Sequence, residues 1–104
     1  RGRFAGLATA ANTVGRLLLA PFIQNGVEIA LNASIRGWVK AELRDPIGRA
    51  IEGYALQDCQ PLTGDGNGLV LRWGADGVSS ARFRYDAVQL YLQCSDAIVY
   101  GVQA

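Results

Sequence analysis

Val88-Gln89-Leu90-Tyr91-Leu92-Gln93-Cys94 alternates without a break: Val88, Leu90, Leu92 and Cys94 lie on one side, Gln89, Tyr91 and Gln93 on the other. A period of two marks a strand with one buried face. The same period runs through Val27, Ile29, Leu31 and Ala33, set against Glu28, Ala30 and Asn32. It returns in Val39, Ala41 and Leu43 against Trp38, Lys40, Glu42 and Arg44. Leu69, Leu71 and Trp73 oppose Val70 and Arg72, and a last short strand is expected from Ile98 to Val102. Leu7-Ala8-Thr9-Ala10-Ala11 reads as an edge strand. Alanine favours helix, but no apolar spacing of three and four continues past Asn12.

Turn chemistry separates these runs. Gln24-Asn25-Gly26, Asp45-Pro46-Ile47-Gly48, Thr63-Gly64-Asp65-Gly66-Asn67-Gly68 and Gly74-Ala75-Asp76-Gly77 carry the glycines, prolines and short polar side chains that turns use. Gly53, Asp58, Gly64 and Asp65 are read as loop-shaping residues. Short strands at this spacing predict an all-β fold, an antiparallel, jelly-roll-like β-sandwich forming a single domain over residues 1–104.

Composition narrows the function. Only 18% of the residues are charged, against about 25% in an average soluble domain, so part of the outer surface is expected to be covered by a partner. The net charge is +1, and the only lysine is Lys40, the other basic residues being arginines scattered along the chain. That argues against nucleic acid, which requires clustered cations. The longest apolar run, around Leu17-Leu18-Leu19-Ala20, is strand length, well short of the roughly 18–20 residues of a membrane helix. The chain opens on Arg1 with no charged-then-apolar leader, so a mature form or an excised piece is expected.

Most routes to catalysis lack their residues. There is no histidine to activate Ser34, Ser79, Ser80 or Ser95, and the lysine alternative rests on Lys40 alone. Asp58 and Asp65 would have to face each other about 5–10 Å apart across a cleft to hydrolyse a glycoside, and nothing flanking them implies a raised pKa. Asp58, Asp65, Asn67 and Asp76 supply oxygens of the kind calcium takes, but the rest of a six- to eight-oxygen shell is missing. They read as turn formers instead. No enzyme activity, metal or cofactor is expected. Cys59 and Cys94 read as two separate thiols in preference to a disulfide, because the period of two points Cys94 inward beside Leu90 and Leu92 while Cys59 lies in a loop.

Aromatic side chains are the remaining signal. Trp38 and Tyr91 fall on outward positions, with Lys40 and Arg72 as charged interface candidates; Leu18 and Val70 are further apolar side chains on faces otherwise expected to be wet. Trp73 and Tyr54 read as core or loop anchors. Interfaces are enriched in Trp, Tyr and Arg, which favours protein contact, while stacking of a sugar on Trp38 and Tyr91 is the alternative. The Phe4 to Ala11 segment offers an edge for strand addition to a neighbour.

The order of signals resembles the C-terminal β-sandwich module behind the catalytic propeller of secreted bacterial glycosidase-like proteins, the broad sialidase and fructosidase-like group. The residues that carry the likeness are Phe4-Ala5-Gly6-Leu7, Gly15-Arg16-Leu17 through Pro21, Ile29-Ala30-Leu31-Asn32, Gly37 to Asp45, Gly48 to Asp65, Trp73-Gly74 and Ala97-Ile98-Val99-Tyr100. The run from Gly48 to Asp65, with Gly53-Tyr54, Asp58-Cys59, Pro61-Leu62 and Gly64-Asp65, is its most specific part. The resemblance implies secretion and a non-catalytic role, structural or carbohydrate-binding, since the hydrolytic carboxylates of such proteins belong to the propeller. Trp38 and Tyr91 depart from its pattern of small, polar or charged outward residues.

Overall fold

A computed structural model describes residues 7–19, 22–25, 28–79 and 84–103. The chain is all-β and antiparallel. Its strands are β1 (Leu7–Thr9), β2 (Gly15–Leu18), β3 (Phe22–Asn25), β4 (Ala30–Arg44), β5 (Leu62–Val70) and β6 (Arg84–Gln103), with one 3-10 turn at Leu56–Asp58. All six belong to one sheet. β6 pairs with β4 along nearly its whole length, from Ala30↔Gln103 to Arg44↔Gln89. β5 pairs with the other edge of β4. β1, β2 and β3 follow one another down the free edge of β6, opposite Val99 to Ala97, Cys94 to Tyr91 and Val88 to Arg84.

Four sequence expectations change. Gln24 and Asn25, expected in a turn, belong to β3 and pair with β6. The expected strands around Leu31 and Val39 are one strand, β4, and those around Leu90 and Val99 are one strand, β6. The expected turn at Thr63–Gly68 is the middle of β5, so Gly64 and Asp65 shape an edge strand rather than a loop. The reason is that its glycines absorb kinks without ending the ladder: Gly64 and Gly68 both have φ near +90°. The expected strand through Trp73 stops at Val70. Leu71-Arg72-Trp73 leaves β5, although Leu71 and Trp73 do face the core and Arg72 the solvent. Asp45–Gly48 and Gly74–Gly77 are turns as read, closed by Gly48 N to Asp45 O (2.9 Å) and Gly77 N to Gly74 O (3.1 Å). Phe4–Gly6, Ala20-Pro21, Gly26-Val27 and Ser80 lie outside the described residues.

The sheet has to bend sharply. At about 3.3 Å per residue the 20 residues of β6 would run about 65 Å if straight, yet the longest dimension of the molecule is 35 Å. The bend is written in the register. Ile35 pairs with Ala97 and Trp38 with Ser95, so β4 carries an extra residue across this point. On the facing strand Asp96 takes φ +52°, and a side chain on Gly37 would meet the Ser95 carbonyl oxygen at 2.2 Å. Only glycine lets the two backbones approach this closely.

The inner face collects the alternating residues: Leu31, Ala33, Ile35, Val39, Ala41 and Leu43 from β4, with Val88, Leu90, Leu92, Cys94, Ala97 and Val99 from β6. The Gly48–Asp65 run and the Leu71–Ser79 hairpin complete this core. Tyr54 and Trp73 are both almost fully buried, with ring centroids 5.1 Å apart. Of the two roles expected for them, core or loop anchor, both take the core. Beyond the end of β5 the edge of β4 would be left unpaired, and these segments pair it. Tyr54 O accepts from Leu43 N, Ile51 N donates to Leu43 O, Cys59 Sγ accepts from Ala41 N (3.3 Å) and Trp73 Nε1 donates to Ala41 O (2.9 Å). The most specific run of the sequence therefore plugs the core and seals an edge.

Candidate functional site

The opposite face of the sheet carries the outward-pointing residues. The central bend divides it into two halves. On the half before the bend, register places Leu18, Tyr91 and Glu42 in one row across β2, β6 and β4, and Arg16, Gln93 and Lys40 in the next. Leu18 is 49% exposed, while Tyr91 and Trp38 are half-buried.

Neither aromatic stands bare. The Arg44 guanidinium lies 4.1 Å from the centre of the Tyr91 ring, and the Tyr91 hydroxyl accepts from Gln93 Nε2 at 2.8 Å. The Lys40 ammonium is 5.5 Å from the Trp38 ring. Glu42 holds Arg44 in place at 2.6 Å through one oxygen and accepts from Leu56 N at 3.1 Å through the other, tying this face to the 3-10 turn beneath the edge. The side chains are thus pre-set, with cations lying on aromatic faces.

Across the bend the face is built differently. Tyr100 is 56% exposed and Ile98 42% exposed, beside Ser34 and Arg36 of β4 and Asp65 and Asn67 of β5. Ser34 Oγ donates to Asp65 Oδ1 at 2.8 Å. A shallow trough of about 360 Å³ lies between Tyr100 and the Asp65–Asn67 segment, and a smaller hollow of about 170 Å³ is lined by Thr9, Ser34, Arg36, Asp96, Ala97 and Ile98.

The structure brings Trp38, Tyr91 and Lys40 onto one half-face. It does not bring Arg72 to them. Arg72 donates to Gly77 O (3.2 Å) and lies 3.7 Å from Glu28. Asp58 and Asp65 serve separate local bonds, Asp58 Oδ2 accepting from Ala55 N and Asp65 from Ser34. Gly53, with φ +85°, forms the tight turn before Tyr54. Cys59 and Cys94 are separate buried thiols. Among the described residues no group of three or more Cys, Asp or Glu converges as a metal site would require, and no helix is long and apolar enough to cross a membrane.

Tyr100 and Ile98 went unread as surface residues. The signal lay in the alternation of Ala97 and Val99 with Ile98 and Tyr100, which reverses the phase of Val88–Cys94. The reversal is legible only once Asp96 is known to carry the kink.

Compared with known proteins, the chain matches no family model, no curated protein and no solved structure.

Proposed function

We propose that the chain is a non-catalytic extracellular β module that associates with copies of itself through the half-face carrying Leu18, Trp38 and Tyr91. The observation that carries the reading is a half-exposed leucine set in register beside Tyr91, on a face where a solvated sheet would place charge. A two-fold contact uses each of these residues twice. Full burial of a leucine side chain is worth about 1.5–3 kcal/mol, and Trp, Tyr and Arg are the side chains that most often anchor interfaces. Because Arg44 and Gln93 already hold Tyr91 in place, little ordering entropy is spent on contact.

Strand addition at the edges is less well supported. Two positive-φ glycines kink β5, and β1 and β2 are separated by Asn12 with φ +62°; kinks of this kind blunt an edge. The resemblance of the Gly48–Asp65 run to the module behind bacterial glycosidase propellers supports the extracellular, non-catalytic setting, with a propeller-like domain as a second partner of the same face.

Light scattering across a concentration range tests the reading. The wild-type mass should exceed that of the monomer at high concentration, and Trp38→Ala and Leu18→Glu should return it to the monomer. A monomer at every concentration rules out self-association.

A further inference from the structure

We propose that the other half of the outer face binds a neutral carbohydrate, with the Tyr100 ring as the stacking surface and Asp65 and Asn67 as its hydrogen-bonding bank. Two bulges build the site. On β6, Asn32 pairs with Gly101 but Ala33 pairs with Val99, so Tyr100 is the unmatched residue. On β5, Leu31 pairs with Leu69 but Asn32 pairs with Asn67, so Gly68 is unmatched. Both interruptions fall at Asn32, whose side-chain oxygen accepts from Gly68 N at 3.0 Å and holds the β5 kink in place. Bulges re-aim side chains, and they concentrate beside sites.

Between the two bulges the trough is floored by Ser34, and its neighbours Ala33 and Gly66 also line it. Its volume of about 360 Å³ is at the lower end of ligand sites, roughly 300–1,000 Å³. One wall is Tyr100, a residue 56% exposed. The other offers the Asn67 amide and the second carboxylate oxygen of Asp65, neither hydrogen-bonded among the described residues.

An apolar ring face opposite planar polar groups matches a sugar, which has an apolar C–H face and a rim of hydroxyls. Among the described residues that line the trough the only charge is the Asp65 carboxylate, which disfavours acidic sugars and favours neutral ones. The smaller hollow starts on the far side of Ser34 and adds Arg36 and Asp96, so the surface suits a chain of sugars better than a single ring.

Isothermal titration calorimetry with soluble mixed-linkage β-glucan, xylan, galactomannan and fructan tests this. At least one should bind. Tyr100→Ala should weaken binding by about 10-fold or more, as expected for loss of an aromatic anchor, while Tyr100→Phe keeps most of it and Asn67→Ala falls between. Both positions are exposed, and thermal melts confirm that each variant folds. Trp38→Ala should bind as wild type, which separates this site from the self-association surface. Binding of none of the four polysaccharides, or equal binding by wild type and Tyr100→Ala, overturns the proposal. So does a Tyr100→Ala variant that changes only the mass in light scattering, since a copy of the chain would then be the occupant.

Discussion

Trp73 reaches across the core to hydrogen-bond β4, its indole Nε1 donating to the carbonyl oxygen of Ala41 at 2.9 Å, and the bond is buried. Ala41 sits past the end of β5, where no described strand pairs this edge of β4, so the indole replaces a missing ladder bond. Trp73→Phe keeps an aromatic ring but strands that carbonyl. A buried acceptor left without a partner costs about 1–3 kcal/mol, and the lost ring volume adds to it. Urea unfolding should show a lower midpoint at unchanged slope. An unchanged midpoint would mean that water reaches the Ala41 carbonyl.

Cys59 serves the other half of the same residue, its Sγ accepting from Ala41 N at 3.3 Å. Burial pushes its thiol pKa up, opposed by the Ala41 N–H and by the charge of Lys40. A pKa raised in the folded state favours the neutral thiol. That stabilisation is complete below the ordinary thiol pKa and is lost as pH rises towards the folded value. Wild type should therefore lose stability above about pH 8.5, relative to Cys59→Ala, which carries no thiol at this position. In the folded protein both thiols should react slowly with a maleimide at neutral pH and promptly in denaturant. Rapid labelling of native Cys59 would contradict the burial.

The sequence showed the core face almost residue for residue, because burial on one side of a strand imposes a period of two: Leu31 to Leu43 and Val88 to Cys94 point where the alternation put them. It did not show that the runs on either side of Gly37, and those on either side of Asp96, are single strands. Glycine and aspartate at a kink use the same local chemistry as at a turn, and only the partner strand decides between the two outcomes. The Gly64–Gly68 stretch was misread for the same reason, since its positive-φ glycines are held in a ladder by Ser34 and Asn32, more than thirty residues away. Trp38 and Tyr91 were legible as outward residues, but the Arg44 and Lys40 cations lying over them were not. Tyr100 was hidden because its outward phase follows from the kink at Asp96, which the sequence alone does not locate.

Gly37 should be the least replaceable glycine among those described. A Cβ there would meet the Ser95 carbonyl oxygen at 2.2 Å and the Asp96 Cβ at 3.1 Å, so Gly37→Ala must push β4 and β6 apart at the bend. Overpacking of this kind costs about 1–3 kcal/mol, occasionally more. Gly48 differs, with φ +93° and open space around it. Gly48→Ala should cost only the strain of a left-handed alanine, about 1–2 kcal/mol. Thermal melts of the two variants should place Gly37→Ala below Gly48→Ala, and the reverse order would mean that the bend is soft.

Asp45 organises the turn that leads from β4 into the core plug. Its Oδ1 accepts from Arg49 N (2.9 Å) and Ile47 N (3.1 Å), and the Arg49 guanidinium lies 3.4 Å from Oδ2. The Arg49 backbone N–H is the main cause that holds the carboxyl below its usual value; desolvation, the next largest effect, opposes it, and Ile47 N and the Arg49 charge assist. A depressed folded pKa contributes stability above the unfolded value and loses it as pH falls through the folded one. A carboxylate NMR titration should therefore place the Asp45 midpoint below the ordinary aspartate value of about 3.9. Asp45→Asn retains an acceptor for both N–H groups but removes the charge, so its melting temperature should lie closer to that of wild type at low pH than at neutral pH. Asp45→Ala should loosen the turn at every pH, seen as faster amide exchange at Gly48 and Arg49, whose bonds close it. Exchange at these amides that matches wild type would show that the turn is fixed by its backbone alone.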